Sequence, residues 1–89
     1  MVTRRVTVIN PLGLHARAAA RFVSMASRFR CRITVTRGAR AVDGKSILGL
    51  LLLAAARGTE LDVAADGTDE ADAVAALSGL IERGFEDQP

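Results

Sequence analysis

The spacing of apolar residues switches repeatedly along this chain, and this alternation limits the folds that it can adopt. Val2, Val6 and Val8 alternate with polar residues, which is the period of a half-buried strand. Over residues 16–27 the apolar positions recur every three or four residues, which predicts an amphipathic helix with a single buried stripe. A chain that changes between these two periods is expected to fold as a mixture of short strands and helices.

The later segments repeat the same two patterns. They predict strands at 31–36, 39–42 and 60–65, and helices at 47–56 and 69–83. Ser46 and Thr68 are the expected N-caps of these two helices, and Gly58 and Gly84 are expected to end them. The order βαββαβα predicts an α+β fold, an open-faced β-sandwich in which three helices cover one face of a four-stranded, mostly antiparallel sheet.

The length and the residue content suggest where such a chain works. A chain of 89 residues is expected to form one domain over 1–89, with 86–89 as a frayed tail. The single cysteine, Cys31, cannot form an internal disulfide, which favours a reducing compartment. The longest apolar run is about half of what a membrane span needs, and no signal peptide is visible. We therefore expect a cytoplasmic monomer that inserts no segment into a membrane.

The charged residues are divided unevenly, although the formal net charge is only +2. Residues 1–57 carry ten arginines and one lysine against a single acid, Asp43, whereas residues 58–89 carry nine acids against Arg83. The basic segment is expected to attract an anionic ligand or an acidic protein surface. Nucleic acid is disfavoured, because no aromatic residues stand between the arginines to stack on bases.

The only histidine, His15, is predicted to lie where a helix begins, after the turn Asn10-Pro11-Leu12-Gly13. An isolated histidine is most often a surface or capping residue, but its neighbours here favour phosphoryl transfer. The backbone N–H groups of Ala16, Arg17 and Ala18 are expected to be free to bind phosphate oxygens. The Arg17 side chain can add a charge-assisted contact. The helix dipole favours the neutral imidazole, which can act as a nucleophile.

Other kinds of site lack the residues that they need. With one histidine and one cysteine, no zinc-type site is expected, and no metal or diffusible cofactor is implied. Paired carboxylates occur only in the predicted last helix, where favourable charge at a helix start is the simpler explanation. Gly44-Lys45-Ser46 is only a fragment of the phosphate-binding loop motif.

Two separated motifs resemble those of one known family. Gly13-Leu14-His15-Ala16-Arg17 and Lys45-Ser46-Ile47-Leu48-Gly49-Leu50 are similar to the motifs of HPr, the histidine-containing phosphocarrier of the phosphoenolpyruvate-dependent phosphotransferase system. The resemblance implies that His15 accepts a phosphoryl group on Nδ1 from enzyme I, assisted by Arg17. It implies that the group then passes to an EIIA protein, so that the chain is a phosphotransfer protein rather than a stand-alone enzyme.

Ser46 matches the regulatory serine of that family, which HPr kinase/phosphorylase modifies in the bacteria that have this enzyme. A phosphate at a helix N-cap is tolerated by the helix dipole, so it is expected to change the surface charge more than the fold. An unmodified N-cap serine remains an equal alternative.

The leucine-rich segment after Ser46 is too apolar to be buried on one side only. Leu50 and Leu53 suit the core. Other apolar residues of the segment are expected to form, with the residue before His15, an exposed docking patch for partner proteins. The members of this patch are Leu14, Ile47, Leu48 and Leu51, framed by the cations Arg21 and Lys45.

Ala18 departs from the family motif, which commonly has proline at this position. Alanine is a good helix former and restores a backbone N–H, so the fold is expected to survive. The substitution resembles the nitrogen-related branch, whose carrier is NPr, and leaves the sugar and nitrogen branches open. Two rival functions also stay open: a corepressor or sensor module controlled through Ser46, and an unrelated α+β domain that binds a small ligand.

Overall fold

The computed structural model describes residues 1–85 and has the elements in the predicted order βαββαβα. The predicted frayed tail, 86–89, lies outside the described residues. The strands are β1 (Val2–Thr7), β2 (Arg32–Arg37), β3 (Arg40–Asp43) and β4 (Glu60–Asp66), and the helices are α1 (Ala16–Ala26), α2 (Ile47–Leu52) and α3 (Glu70–Glu82).

The four strands form one sheet in the order β1-β4-β2-β3, and every neighbouring pair is antiparallel. Alternate residues of the strands are buried on one face of this sheet: Val6, Ile33, Val35, Leu61, Val63 and Ala65. On the other face polar side chains pair across strands, as where Arg5 Nε donates to Asp62 Oδ1 at 3.0 Å. The predicted α+β open-faced β-sandwich is therefore confirmed.

The helices present their predicted apolar stripes to the core. In α1, Phe22 is buried, and Val23 beside it is only half-buried. In α3 the whole predicted stripe is buried, namely Val74, Leu77, Leu80 and Ile81. Gly84 has a φ of 70°, and the chain after α3 turns back so that the Phe85 N–H donates to the Leu80 carbonyl at 2.8 Å. This bond closes the end of the helix as predicted.

The second helix is shorter than predicted. It ends at Leu52 instead of continuing to residue 56, so Gly58 is not its stop. Ala54 has a φ of 49°, in the left-handed region that a right-handed helix cannot include. The start of α2 is as predicted, because Ser46 Oγ accepts a hydrogen bond from the Gly49 N–H at 3.0 Å.

The third helix also begins differently from the prediction. It starts at Glu70, and Thr68 is not its N-cap. Asp69 is at the N-cap position but makes no side-chain cap bond. Its carboxylate instead accepts hydrogen bonds from the backbone N–H groups of Arg30 at 2.8 Å and Cys31 at 3.0 Å. The acid at this helix start therefore holds the connection between α1 and β2.

Each helix ends near a cation that comes from a different part of the chain. Lys45 donates to a carbonyl just after α1 at 2.7 Å, and Arg21 donates to the carbonyl of Phe85 after α3 at 2.8 Å. Arg37 and Arg40 donate to carbonyls at the end of α2. None of the three helices has a basic residue in its own last turn. These cations therefore supply the positive charge that the C-terminal end of a helix favours.

Candidate functional site

A rigid turn leads the chain from β1 into α1. The Gly13 N–H donates to the Asn10 carbonyl at 3.0 Å, and the Asn10 side-chain amide donates to the Gly13 carbonyl at 2.6 Å. Gly13 has a φ of 66°, and a Cβ at this position would collide with the carbonyl oxygen of Ala55. The next N–H, of Leu14, donates to that same oxygen at 2.8 Å. The residue that follows this turn is thus held in a fixed position.

That residue is His15, which is the N-cap of α1. Its imidazole Nδ1 accepts a hydrogen bond from the Arg17 N–H at 3.3 Å, and its carbonyl accepts the first helical bond, from Ala19, at 2.8 Å. A neutral ring that accepts at Nδ1 carries its proton on Nε2. The half-buried ring therefore directs its Nδ1 lone pair at the start of the helix, where unpaired N–H groups gather.

The three predicted backbone donors differ in their accessibility. Ala16 and Arg17 are exposed, and the N–H of Ala16 has no hydrogen-bond partner within residues 1–85. Ala18 lies in the core, with 1% of its surface exposed. An external anion can approach the exposed residues Ala16 and Arg17 directly, whereas Ala18 lies below the surface.

The Arg17 side chain stands at the start of α1 without any internal counter-charge. It is exposed, and in the described part of the chain its guanidinium makes no hydrogen bond or ion pair. The first turn of α1 contains no acid. A cation beside the positive end of a helix dipole is unfavourable by itself, and a bound anion would remove this penalty. His15 and Arg17 together therefore form an arrangement suited to an anionic group.

The predicted docking patch is exposed only in part. Ile47 is 43% and Leu48 69% exposed, whereas Leu51 is half-buried. The expectation that Leu14 belongs to an exposed patch is wrong, because Leu14 is 6% exposed and packs in the core, with its N–H bound to Ala55. The two leucines assigned to the core, Leu50 and Leu53, are confirmed as buried. The exposed part of the patch therefore comes from α2.

Two exposed leucines were not predicted from the sequence. Leu12, in the turn before His15, is 76% exposed, and Leu52, the last residue of α2, is 57% exposed. Leu12 lies between Pro11 and Gly13, outside any helical or strand period, so no pattern assigned a side to it. The sequence placed Leu52 neither in the core nor in the patch, and the structure exposes it at the last position of α2.

The two cations expected to frame the patch already have partners in the fold. Arg21 and Lys45 are half-buried and donate to backbone carbonyls, as described above. Their side chains therefore help to fix the helices that carry the site.

Helices α1 and α2 are joined at both ends, and this places His15 and Ser46 far apart. At one end the Leu14 N–H binds the carbonyl of Ala55, and at the other the Lys45 ammonium binds the carbonyl of Phe29. The end of α2 therefore lies beside the start of α1. His15 and Ser46 therefore lie at opposite ends of this helix pair, His15 as the N-cap of α1 and Ser46 as the N-cap of α2.

Other groups that could support chemistry are out of reach. Cys31 is buried, and this burial raises the pKa of its thiol. In the described portion, 1–85, no three acidic, histidine or cysteine side chains are grouped so that they could hold a metal ion. No helix of that portion has the length and apolar character to cross a membrane. The arrangement around His15 is therefore the strongest candidate site.

Comparisons with known proteins agree on one family. The family model described as the PTS HPr component phosphorylation site matches residues 2–83. The chain is 48% identical over 81 residues to the phosphocarrier protein HPr of Neisseria meningitidis, with 91% of each chain covered. It matches the crystal structure of HPr-C-His from Thermoanaerobacter tengcongensis with a TM-score of 0.93, at 38% identity and with complete coverage of both chains. An HPr dimer from the same organism matches at 40% identity with a TM-score of 0.77, over 92% of this chain and 94% of that chain.

Proposed function

The chain belongs to the HPr family, and on this premise we propose that it is a phosphocarrier in which His15 accepts a phosphoryl group from enzyme I and passes it to an EIIA protein. The observation that carries the proposal is the position of the His15 Nδ1 atom. It lies at the N-terminus of α1, next to a backbone donor and to an arginine that lacks an internal partner.

In the proposed transfer, the Nδ1 lone pair attacks the phosphorus of the phosphohistidine of enzyme I. The bond from phosphorus to the donor nitrogen breaks, the new bond to Nδ1 forms, and Nε2 of His15 keeps its proton. The Arg17 N–H then loses its contact with Nδ1 and can donate to a phosphoryl oxygen. The N–H of Ala16 can supply a second donor at the same helix end. In the onward transfer, a histidine nitrogen of the EIIA protein attacks the phosphorus, the bond from phosphorus to Nδ1 breaks, and its electron pair returns to Nδ1, which restores the neutral ring of His15.

The charge of Arg17 also favours the binding of a phosphoryl group at His15. Its guanidinium can make a charge-assisted contact to the dianionic phosphoryl group, which is stronger than a contact between neutral groups. The His15 ring is only half-buried. A partner can therefore reach the phosphorus from solvent, which a carrier needs because it must be approached by two proteins in turn.

We assign the docking role to the exposed apolar residues of α2. Ile47 and Leu48 lie on the helix whose end adjoins the turn before His15. Both residues are in the first turn of α2, so a partner whose interface runs from His15 along the whole of α2 would bury them. Exposed apolar residues of this kind mark such surfaces. Enzyme I and the EIIA protein are the proposed partners, and the cytoplasm is the proposed place of action.

Phosphorylation of Ser46 is the second proposal, as a means of regulation by HPr kinase/phosphorylase. Ser46 Oγ already accepts the Gly49 N–H at the start of α2, so a phosphate there would sit where the helix favours negative charge. It would add charge at the far end of the two helices from His15, on the side where Ile47 and Leu48 meet a partner. The expected effect is weaker docking with an unchanged fold.

The test of the first proposal is phosphoryl transfer from phosphoenolpyruvate through enzyme I, with His15→Ala as the control. We expect an acid-labile, base-stable label on the parent chain and none on the variant. A label on His15→Ala, or no label on the parent, would overturn the proposal. Addition of EIIA proteins of the sugar and nitrogen branches separately would then show which of them removes the label, and so assign the branch.

The test of the second proposal uses ATP and HPr kinase/phosphorylase, with Ser46→Ala as the control. Labelling of Ser46→Ala as strong as that of the parent would reject the assignment. A corepressor role independent of His15 would appear instead as a regulatory effect that His15→Ala retains.

A further inference from the structure

We propose that Arg37 and Arg40, which lie on the hairpin between β2 and β3, are positioning residues for the His15 site. This inference rests on the proposed function of His15. The two arginines touch neither His15 nor Arg17, and no motif of the sequence singles them out. They act through the end of α2, and we call the pair the hairpin clamp.

The hairpin places the two arginines side by side. Arg37 ends β2, Arg40 begins β3, and the two are direct partners in the register of the strands. The tight turn between them contains Gly38, which has a φ of 57°. Like charges that face each other across strands destabilise a hairpin. This pair therefore needs acceptors that lie close to both guanidinium groups.

The acceptors are the carbonyls of the last residue of α2 and of the two residues that follow it. Arg37 Nη1 donates to the carbonyls of Leu53 at 2.7 Å and Ala54 at 3.1 Å, and Arg40 Nη1 donates to the carbonyl of Leu52 at 2.8 Å. These carbonyls lack partners inside a helix, as the last carbonyls of any helix do. A helix of six residues has little stability of its own. The hairpin clamp thus fixes the place where α2 stops.

The backbone just after α2 carries this constraint to the turn before His15. Ala54 adopts a left-handed conformation, which a residue other than glycine keeps only when its surroundings hold it there. The next residue, Ala55, is 3% exposed, and its carbonyl accepts the Leu14 N–H at 2.8 Å. Leu14 is joined directly to His15. A continuous series of hydrogen bonds and peptide bonds therefore connects the hairpin to the N-cap of α1.

Loss of the hairpin clamp would release the segment that follows α2, and with it the acceptor for Leu14. The turn before His15 would then sample more than one position, and the contact between Nδ1 and the Arg17 N–H would be less well defined. The rate of phosphoryl transfer would fall for this reason, although every residue that contacts the phosphoryl group is still present.

The experiment compares Arg37→Gln, Arg40→Gln and the double variant with Arg32→Gln as a matched control. Arg32 lies on the same strand as Arg37, is exposed, and forms no side-chain hydrogen bond or ion pair among residues 1–85. Amide hydrogen exchange is followed at Leu14, and at Val63 in the central strand β4 as a measure of global opening. The ¹⁵N shifts of the His15 ring and the rate of transfer from enzyme I are measured on the same samples.

We expect the amide of Leu14 to exchange about fivefold or more faster in the clamp variants, which corresponds to the loss of one hydrogen bond, the one to the Ala55 carbonyl. Exchange at Val63 should stay unchanged. The ring shifts of His15 should move and the transfer rate should fall several-fold, and Arg37→Lys should recover part of both. Three results would overturn the inference. The amide of Leu14 could exchange as slowly in the clamp variants as in Arg32→Gln, or the amides of Leu14 and Val63 could both exchange faster. The third is faster exchange at Leu14 with an unchanged rate of phosphoryl transfer. If the parent chain itself accepts no phosphoryl group, the proposed function fails, whereas the exchange data still test the connection from the hairpin to Leu14.

Discussion

The Nδ1 atom of His15 accepts a hydrogen bond from the backbone N–H of Arg17 at 3.3 Å, so the atom proposed to carry the phosphoryl group is also the N-cap acceptor of α1. In the free protein the ring nitrogen satisfies this donor. In the phosphorylated protein a phosphoryl oxygen can take its place. The start of α1 would therefore keep an acceptor in both states, and the carrier could be loaded and unloaded without rebuilding the helix.

Replacement of His15 should separate capping from phosphoryl transfer. Asparagine is among the best N-cap residues and alanine is a poor one, so His15→Ala should lower the free energy of unfolding by about 1 kcal/mol relative to His15→Asn. Both variants should carry no phosphoryl group. Urea denaturation and the enzyme I labelling assay measure these two properties. Identical unfolding midpoints for the two variants would contradict a capping role for this position.

Removal of the Arg17 charge should slow transfer without weakening the fold. Arg17→Gln should reduce the transfer rate by about tenfold or more, because a charge-assisted contact to the phosphoryl group contributes ~1.5–3 kcal/mol. Its free energy of unfolding should stay equal or rise slightly, since a cation at a helix start is unfavourable. Arg28→Gln is the matched control, because Arg28 is exposed and its side chain has no partner in the described residues. Equal transfer rates for the two variants would argue against a role of Arg17 in the chemistry.

Leu14 and Leu48 should respond to alanine in opposite ways, since Leu14 is 6% and Leu48 69% exposed. Leu14→Ala should lower the free energy of unfolding by about 2–5 kcal/mol, the usual effect of a cavity in the core. Leu48→Ala should change it by less than about 0.5 kcal/mol and should raise the KM for enzyme I. Thermal melts and steady-state transfer kinetics distinguish the two. An unchanged KM for Leu48→Ala would remove Leu48 from the docking surface.

Asp69 should make the free energy of unfolding decrease at low pH. The hydrogen bond from the Arg30 N–H, together with that from Cys31, holds the pKa of the Asp69 carboxyl below its usual value. The carboxyl is then easier to ionise in the folded chain than in the unfolded chain. Its stabilising effect is complete above the unfolded pKa of about 3.9 and is lost as the pH falls through the lower folded value.

We therefore expect Asp69→Asn to be less stable than the parent at pH 7 and to lose less stability between pH 5 and 2. Urea midpoints across this pH range provide the measurement. Asp72→Asn, which changes an exposed acid of the same helix, serves as the control. If the urea midpoints of the parent and of Asp69→Asn fell in parallel as the pH decreased, Asp69 would not contribute to the loss of stability in acid.

The parts of the fold that follow from local periodicity could be predicted from the sequence. The stripe of α3 and the alternating residues of β2 and β4 are each defined by neighbours within a few positions, and the structure buries them as expected. The same holds for Ser46, because an N-cap depends on the residues that directly follow it. The position of His15 at a helix start belongs to this group as well.

The features that could not be predicted depend on contacts between distant parts of the chain. The carbonyls at the end of α2 accept hydrogen bonds from Arg37 and Arg40, which lie on the hairpin before it. Asp69 binds the connection between α1 and β2 instead of capping its own helix. Leu14 lies in the core, and its N–H donates to the carbonyl of Ala55, far along the chain. No pattern within a short window contains this information.

Only some of the cations in residues 1–57 are available to attract a partner protein, because the others are engaged within the fold. Of the eleven cations in residues 1–57, Arg4 and Arg5 pair with acids, and Arg21, Arg37, Arg40 and Lys45 donate to carbonyls. The five whose side chains have no partner among residues 1–85 are Arg17, Arg28, Arg30, Arg32 and Arg57. Dissolved salt screens exposed charges most strongly, so a rise in ionic strength would slow the encounter with an acidic partner while the direct hydrogen bonds at the helix ends persist.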